Sequence, residues 1–168
     1  MRIFIVGPMA SGKSTIGKRL AQKLNLQFID IDKEIESRAG TDIPWIFEVE
    51  GEKGFRKREE KVLEESIKKS NVVISTGAGI VLSKRNRDLM IRSGKVIYLK
   101  ASLKIQLKRT QNDKSRPLLM DGNKEEVLKK LKKEREPIYE EISDLKINQE
   151  NKKLRQVVEE ISNKLNNE

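Results

Sequence analysis

Gly7-Pro8-Met9-Ala10-Ser11-Gly12-Lys13-Ser14-Thr15 is the stretch on which the reading of this chain turns. It fits G-x-x-x-x-G-K-[ST] in the setting that pattern requires. An apolar run, Ile3-Phe4-Ile5-Val6, precedes it, and a helix-patterned segment follows. The glycines let the backbone wrap a phosphate with its N–H groups turned inward, and the next helix presents the positive end of its dipole. Gly7, Ala10, Ser11, Gly12, Lys13, Ser14 and Thr15 are therefore the expected nucleotide contacts. Lys13 is expected to reach the β- and γ-phosphates, and Ser14 to bind Mg²⁺ carried with ATP. Chance alone supplies such a match on the order of once per hundred chains of this composition, and the strand–loop–helix setting lowers that further.

Working outward, Met1–Val6 reads as a strand and Lys13–Leu24 as a helix with Ile16, Leu20 and Leu24 on one face. Gln27–Asp30 is a second strand, and Ile31–Ala39 a helix stopped by Gly40. Ile43–Val49 is a short helix with Pro44 in its first turn; Gly51 and Gly54 break the chain before a helix over Phe55–Ser70. Asn71–Ser75 and Lys95–Leu99 are strands, with a helix over Ser83–Arg92 between them. Ser102–Thr110 is helical with Ser102 as N-cap, and Gln111–Asn123 is a polar loop. Lys124–Ile142 is a long helix that Pro137 is expected to kink or end early, followed by strand Leu145–Asn148 and helix Leu154–Leu165. Strands alternating with helices predict an α/β fold: a three-layer α/β/α domain around a five-stranded parallel sheet, with a mobile lid. One domain is expected over residues 1–168, with an acceptor-binding region at about 31–60 and the lid at about 111–123.

The 168 residues contain no cysteine and no histidine. Disulfide scaffolds, thiolate zinc sites, cysteine nucleophiles and histidine acid–base chemistry are thereby excluded. No apolar run approaches the roughly 20 residues of a membrane span, and the N-terminal run is too short for a signal peptide, so a cytoplasmic protein is expected. The net charge of +10 is concentrated in residues 71–120, which hold 11 basic and 2 acidic side chains. That third has a single aromatic residue, Tyr98, and neither an RNA-binding sheet motif nor a basic recognition helix. Nucleic acid is not the expected partner; a pocket for small anions and a solvated lysine-rich surface are the two other readings of the same charge.

A phosphate loop does not name the acceptor. At this length, without a guanine-reading N-K-x-D, a small-molecule kinase is favoured. Asp30 and Asp32 leave the C-terminal edge of the sheet, where ligands bind in such folds; strand alternation would point both side chains the same way. One could hold the magnesium shell and the other orient an acceptor hydroxyl, while helix capping would explain either. Arg56 lies at a helix start, where a cation is mildly unfavourable and so hints at a ligand. Thr76-Gly77-Ala78-Gly79 is a second small-residue loop at the same edge, suited to close backbone approach.

Together these segments resemble the shikimate kinase family, from Met1 to the last helix. Phe28-Ile29-Asp30-Ile31-Asp32 followed by Ile35-Glu36 and Gly40, then Ile46-Phe47, Gly51-Glu52, Phe55-Arg56 and Glu59, then Arg116-Pro117-Leu118-Leu119, then Arg135, Pro137 and Tyr139 are similar to its motifs in order. The resemblance implies a P-loop kinase of the nucleoside monophosphate kinase-like fold. Its activity would be transfer of phosphoryl from ATP, with Mg²⁺, to the 3-hydroxyl of shikimate on the way to chorismate and the aromatic amino acids. It implies that Asp32 holds the shikimate hydroxyls and is the candidate base, and that Asp30 holds the Mg²⁺ shell. Arg56 and Arg135 would clamp the carboxylate, with Gly77 and Gly79 lending backbone contacts beside Ala78. Arg116 would close from the lid onto the phosphates, and Arg109 would lie against adenine. Lys13, Asp32 and Arg116 are then the catalytic set. The chain departs from the family at Ala78, where three glycines are usual. A monomer is expected. A kinase for gluconate or a nucleoside monophosphate, and a non-catalytic ATP-binding module, are the alternatives.

Overall fold

The computed structural model describes residues 1–120 and 122–167. Five strands, β1 (Arg2–Val6), β2 (Gln27–Asp30), β3 (Val72–Ser75), β4 (Lys95–Lys100) and β5 (Leu145–Asn148), form one sheet in the order β2-β3-β1-β4-β5. Every pairing is parallel: Ile3 stands opposite Val73 and Lys95, and Asp30 opposite Ser75. The central strands are unbroken apolar runs because both faces are covered. Phe4, Val6, Ile74, Val96 and Tyr98 turn to one side, where they meet α2 (Ile31–Ala39), α3 (Ile43–Ser66), α4 (Lys84–Ser93) and α6 (Lys124–Ile142). Ile3, Ile5, Val73, Ile97 and Leu99 turn to the other side, against α1 (Lys13–Leu24) and α7 (Leu154–Asn166). Leu20, fully buried on α1, belongs to this second layer, and its truncation to alanine costs about 2–5 kcal/mol. The expected three-layer architecture is thus the one observed.

A third, smaller apolar cluster joins Met9 of the loop after β1, Leu119 and Leu128, with Ala78 and residues of α5 (Leu103–Thr110) packed against it. It seats the 111–123 segment over the C-terminal edge of the sheet. That segment contains a short 3₁₀ turn at Pro117–Leu119; a similar turn at Ile80–Leu82 follows β3. Neither is foreseen from pattern, and Asp121 of the expected lid lies outside the described residues.

Two helix expectations need correction. Gly51 does interrupt α3, with φ 70° and ψ 177°, but Gly54 is helical, so a single joint divides the element. Pro137 neither ends nor shortens α6, which runs on to Ile142. Pro137 and Lys133, whose carbonyl loses its partner, are both exposed, so water takes the place of the missing bond. Among the described residues, no helix is long and apolar enough to cross a membrane.

Candidate active site

The loop Gly7–Thr15 rises from β1 into α1. Gly7 has φ 148°, and a Cβ there would lie 2.5 Å from the Leu99 carbonyl, so only glycine passes β4 at this point. Gly12, at φ 87°, is the N-cap of α1 and offers no side-chain acceptor; the first turn of α1 holds no acidic residue. Three other helices that follow strands at this edge carry side-chain caps. Asp30 caps α2 through Lys33 N at 3.2 Å, and Ser83 and Ser102 cap α4 and α5. The first N–H groups of α1 are thus left for an anion. Ala10 has φ 59°, a strained conformation for a residue with a side chain, and Arg109 Nη1 donates to its carbonyl at 2.8 Å. Lys13 is buried and donates to the Gly7 and Pro8 carbonyls at 2.9 and 2.8 Å. Burial pulls its ammonium down to about 8, partly offset by Asp32.

The cleft above this loop, of about 530 Å³, is walled by Ala10, Gly12, Lys13, Ser14, Thr15 and Arg109, with Arg116 and Asp32 at one end. Gln149, Lys152, Leu154 and Val157 complete its far wall. These last four escape the sequence reading. Gln149 follows the C-terminal end of β5, where ligand contacts are expected in such sheets, and this is the one signal that could have found it. Its amide donates to Ser11 and Lys100 carbonyls at 2.7 and 2.6 Å. Gly7 and Ser11 do not line the cleft; they shape the loop beneath it.

Asp30 and Asp32 do not act as an alternating pair. Asp30 ends β2 and caps α2, whereas Asp32 sits in the first turn of that helix. The two face different neighbours. Asp30 stands in register with Ser75, whose hydroxyl lies 3.4 Å from that of Ser14. Asp32 faces both the nucleotide cleft and a smaller adjoining one.

That smaller cleft, about 100 Å³, is where α2, α3, α6, the loop after β3 and the 111–123 segment meet. Asp32, Arg56, Gly77, Ala78, Gly79, Arg116 and Arg135 all line it, together with Glu59. Gly77 and Gly79 leave room for the site's side chains: a Cβ at Gly77 would press on Glu59 and lie 3.0 Å from Asp32 Oδ1, and one at Gly79 would displace the Arg56 guanidinium. Ala78 is outside the left-handed region, so its methyl carries no backbone strain, and it packs against the Met9–Leu119–Leu128 cluster. Arg56 pairs with Glu59 at 2.9 Å and Glu52 at 3.2 Å. Glu59 is fully buried. Sequence reading leaves it out of the site because a glutamate three positions after an arginine resembles any surface helix pair. Burial raises the Asp32 carboxyl, and Asp30 nearby adds to the rise; burial pushes Glu59 up to about 7 against the pull of Arg56. Arg135 is buried on α6. Asp32 Oδ1, Glu59 Oε1, Arg56 Nε and Arg135 Nε are all buried without a hydrogen-bond partner among the described residues. Such atoms are costly unless a ligand or water satisfies them.

Arg116 lines both clefts and is therefore placed between donor and acceptor. Its Nε donates to Asp113 Oδ2 at 2.7 Å, which leaves the other guanidinium donors uncommitted by that bond. Of the basic residues in 71–120, Arg109 and Arg116 line the nucleotide cleft, while Lys84, Arg85 and Lys100 are paired with surface carboxylates. Surface pairing accounts for a visible part of the basic middle third.

The arrangement can hold a polyphosphate on backbone amides and place a small hydroxy acid beside its terminal phosphate. Known proteins agree with it. The family model for shikimate kinase matches residues 9–166. The chain is 51% identical over 164 residues to shikimate kinase 1 of Yersinia enterocolitica, covering 97% of this chain and 95% of that protein. Its fold matches the solved shikimate kinase from Acinetobacter baumannii, in complex with shikimate, with a TM-score of 0.95 and 41% identity over 98% of this chain and 92% of that one. The Aquifex aeolicus shikimate kinase matches with a TM-score of 0.86 and 40% identity, over 99% and 96% of the two chains. On fold, site and sequence alike, the chain belongs to the shikimate kinase family.

Proposed function

We propose that this protein transfers the γ-phosphoryl group of ATP to the 3-hydroxyl of shikimate, yielding shikimate 3-phosphate. The observation that carries the assignment is the small cleft, in which two arginines, Arg56 and Arg135, line the same space as Asp32, a half-buried acid with one buried, unpartnered oxygen, beside the phosphate loop. Two guanidinium groups suit a planar carboxylate, and a carboxylate with an unpartnered oxygen suits a hydroxyl donor. Asp32 Oδ1 receives the hydrogen bond of the acceptor hydroxyl and then its proton; its raised pKa makes it the better base. Lys13 leaves the Gly7 and Pro8 carbonyls for the phosphates, and Arg116 neutralises the charge that moves from donor to acceptor. Arg109 covers the nucleotide from the α5 side.

The donor set fits Mg²⁺. The Ser14 hydroxyl, the neighbouring Ser75 hydroxyl and the carboxylate of Asp30 are hard oxygen donors of the kind that hold this ion together with substrate phosphates. Among the described residues, no group of three or more carboxylates could cage a metal unaided. Bound there, the ion would offset phosphate charge. The 111–123 segment acts as the lid, bringing Arg116 down and shutting out water. Both clefts are completed by residues of one chain, so a single chain is taken as the working unit. The acceptor cleft, about 100 Å³, is much smaller than the nucleotide cleft of about 530 Å³, which favours a small metabolite over a nucleoside monophosphate.

The test is ADP release with Mg-ATP and shikimate, compared with gluconate, a nucleoside monophosphate and no acceptor. Turnover with shikimate alone is expected. Turnover with another acceptor, or ATP binding with no turnover, would overturn the assignment.

A further inference from the structure

Tyr139 lies one turn beyond Arg135 on α6 and is 2% exposed. Its hydroxyl donates to the Ala78 carbonyl at 2.5 Å. A phenol has one proton to give and lone pairs to spare; the positive charge of Arg135, one turn back on the same helix, lies near enough to act on it. Burial pushes the Tyr139 phenol far above its ordinary range, so that proton stays in place at any working pH. The ring is fixed independently by stacking on Tyr98, with centroids 5.1 Å apart and planes at 28°. The hydroxyl therefore ties the loop at Ala78 to α6, the helix that carries Arg135, 57 positions further along the sequence.

Its hold on Ala78 has a geometric consequence. In a trans peptide the carbonyl of one residue and the N–H of the next point in opposite directions, and no described peptide bond is cis. Drawing the Ala78 carbonyl toward α6 turns the Gly79 N–H the other way. Gly79 lies against the guanidinium of Arg56. One hydroxyl thus orients a backbone donor on the Arg56 side of the cleft and fixes it to the helix that carries Arg135.

We propose that Tyr139 is a positioning residue for recognition of the acceptor's carboxylate, aligning the Ala78–Gly79 peptide with Arg135 so that both present donors to one planar anion. The proposal rests on the reading of this cleft as the shikimate site. It differs from a packing role, which belongs to the ring and not to the oxygen.

The experiment compares steady-state kinetics of the full-length wild type, Tyr139→Phe and Tyr98→Phe with shikimate and with its methyl ester. Tyr98 is the control: it shares the stack, and its hydroxyl faces Glu136 at 3.5 Å and not the loop. Tyr139→Phe should raise KM for shikimate about tenfold or more, the scale of leaving a buried carbonyl without its donor, while kcat and KM for ATP stay within about threefold. The penalty should largely vanish with the ester, which lacks the charge being aligned. Tyr98→Phe should match the wild type. A shikimate KM within twofold of wild type, an equal penalty for acid and ester, or a parallel rise in KM for ATP would each overturn the proposal. So would failure of Tyr139→Phe to fold, which would make the oxygen a folding determinant. Absence of shikimate turnover in the wild type would instead overturn the functional reading beneath it.

Discussion

On the nucleotide side of this enzyme, the one buried ammonium is already satisfied: Lys13 rests on two carbonyls of its own loop, and Gln149 braces that loop from β5. On the acceptor side, four buried polar atoms, on Asp32, Arg56, Glu59 and Arg135, have no partner among the described residues. The first half is built from contiguous backbone, and its open donors are the first amides of α1. The second is assembled from side chains on three helices and completed by two loops, and carries unsatisfied groups until a polar ligand arrives. Among the side chains, donor binding means that Lys13 exchanges existing hydrogen bonds, whereas acceptor binding supplies partners to atoms that lack them.

The largest effect that would test this contrast is at Lys13. Lys13→Ala should lower kcat/KM by about 10² to 10³, the usual scale for deleting one preorganised charge-stabilising donor. Near-normal turnover in that variant would remove Lys13 from the phosphates. Arg135→Ala should raise KM for shikimate by about a hundredfold, as expected on truncating one partner of a buried charged contact, with KM for ATP little changed. Matched losses for both substrates would mean that the two halves are not separable.

Glu59 sharpens the comparison through pH. Its carboxyl stands at about 7 in the fold because burial outweighs Arg56, against an ordinary value of 4.5 in the unfolded chain. Between those values the folded state binds the proton more tightly. Its contribution to stability is fully present below about 4.5 and is lost as pH rises through 7. Melting temperature of the free enzyme should fall across that window, and Glu59→Gln should flatten part of the fall. An unchanged slope in the variant would assign it to other groups, the raised Asp32 first among them. For the lid, amide exchange across residues 111–120 should slow with a bound ATP analogue; equal rates with and without it would end the lid reading. The smallest effect is expected at Ala78. Ala78→Gly should change kcat/KM less than tenfold and cost about 0.4–1 kcal/mol of stability, since the methyl is unstrained and packs on the Leu119 cluster. A larger gain in kcat/KM would show that the methyl obstructs the acceptor.

The same contrast explains what could be read from sequence. The nucleotide half is legible because its chemistry lies in nine consecutive residues, Gly7 to Thr15, whose spacing is itself the function. The strands are legible because burial on both faces leaves them no polar alternation. The acceptor half is composite. Arg135 says nothing alone on a helix crowded with lysine and glutamate, and becomes meaningful only through the family pattern of motifs in order. Glu59 and Tyr139 were in that pattern without roles, since neither a buried carboxylate nor a phenol aimed at a carbonyl leaves a mark in residue spacing. Asp30 and Asp32 show the opposite fault, for alternation suggested a pair where a helix start separates them.

The depressed pKa of Lys13 also makes it chemically addressable. Burial pulls its ammonium down to about 8, so near that pH a far larger share of it is free amine than of an ordinary exposed lysine. A small acylating reagent shaped to enter the nucleotide cleft would thus meet one lysine already primed as a nucleophile, in a protein whose surface is crowded with protonated ones. Selectivity would come from proton occupancy more than from shape, and saturating nucleotide would shield the site.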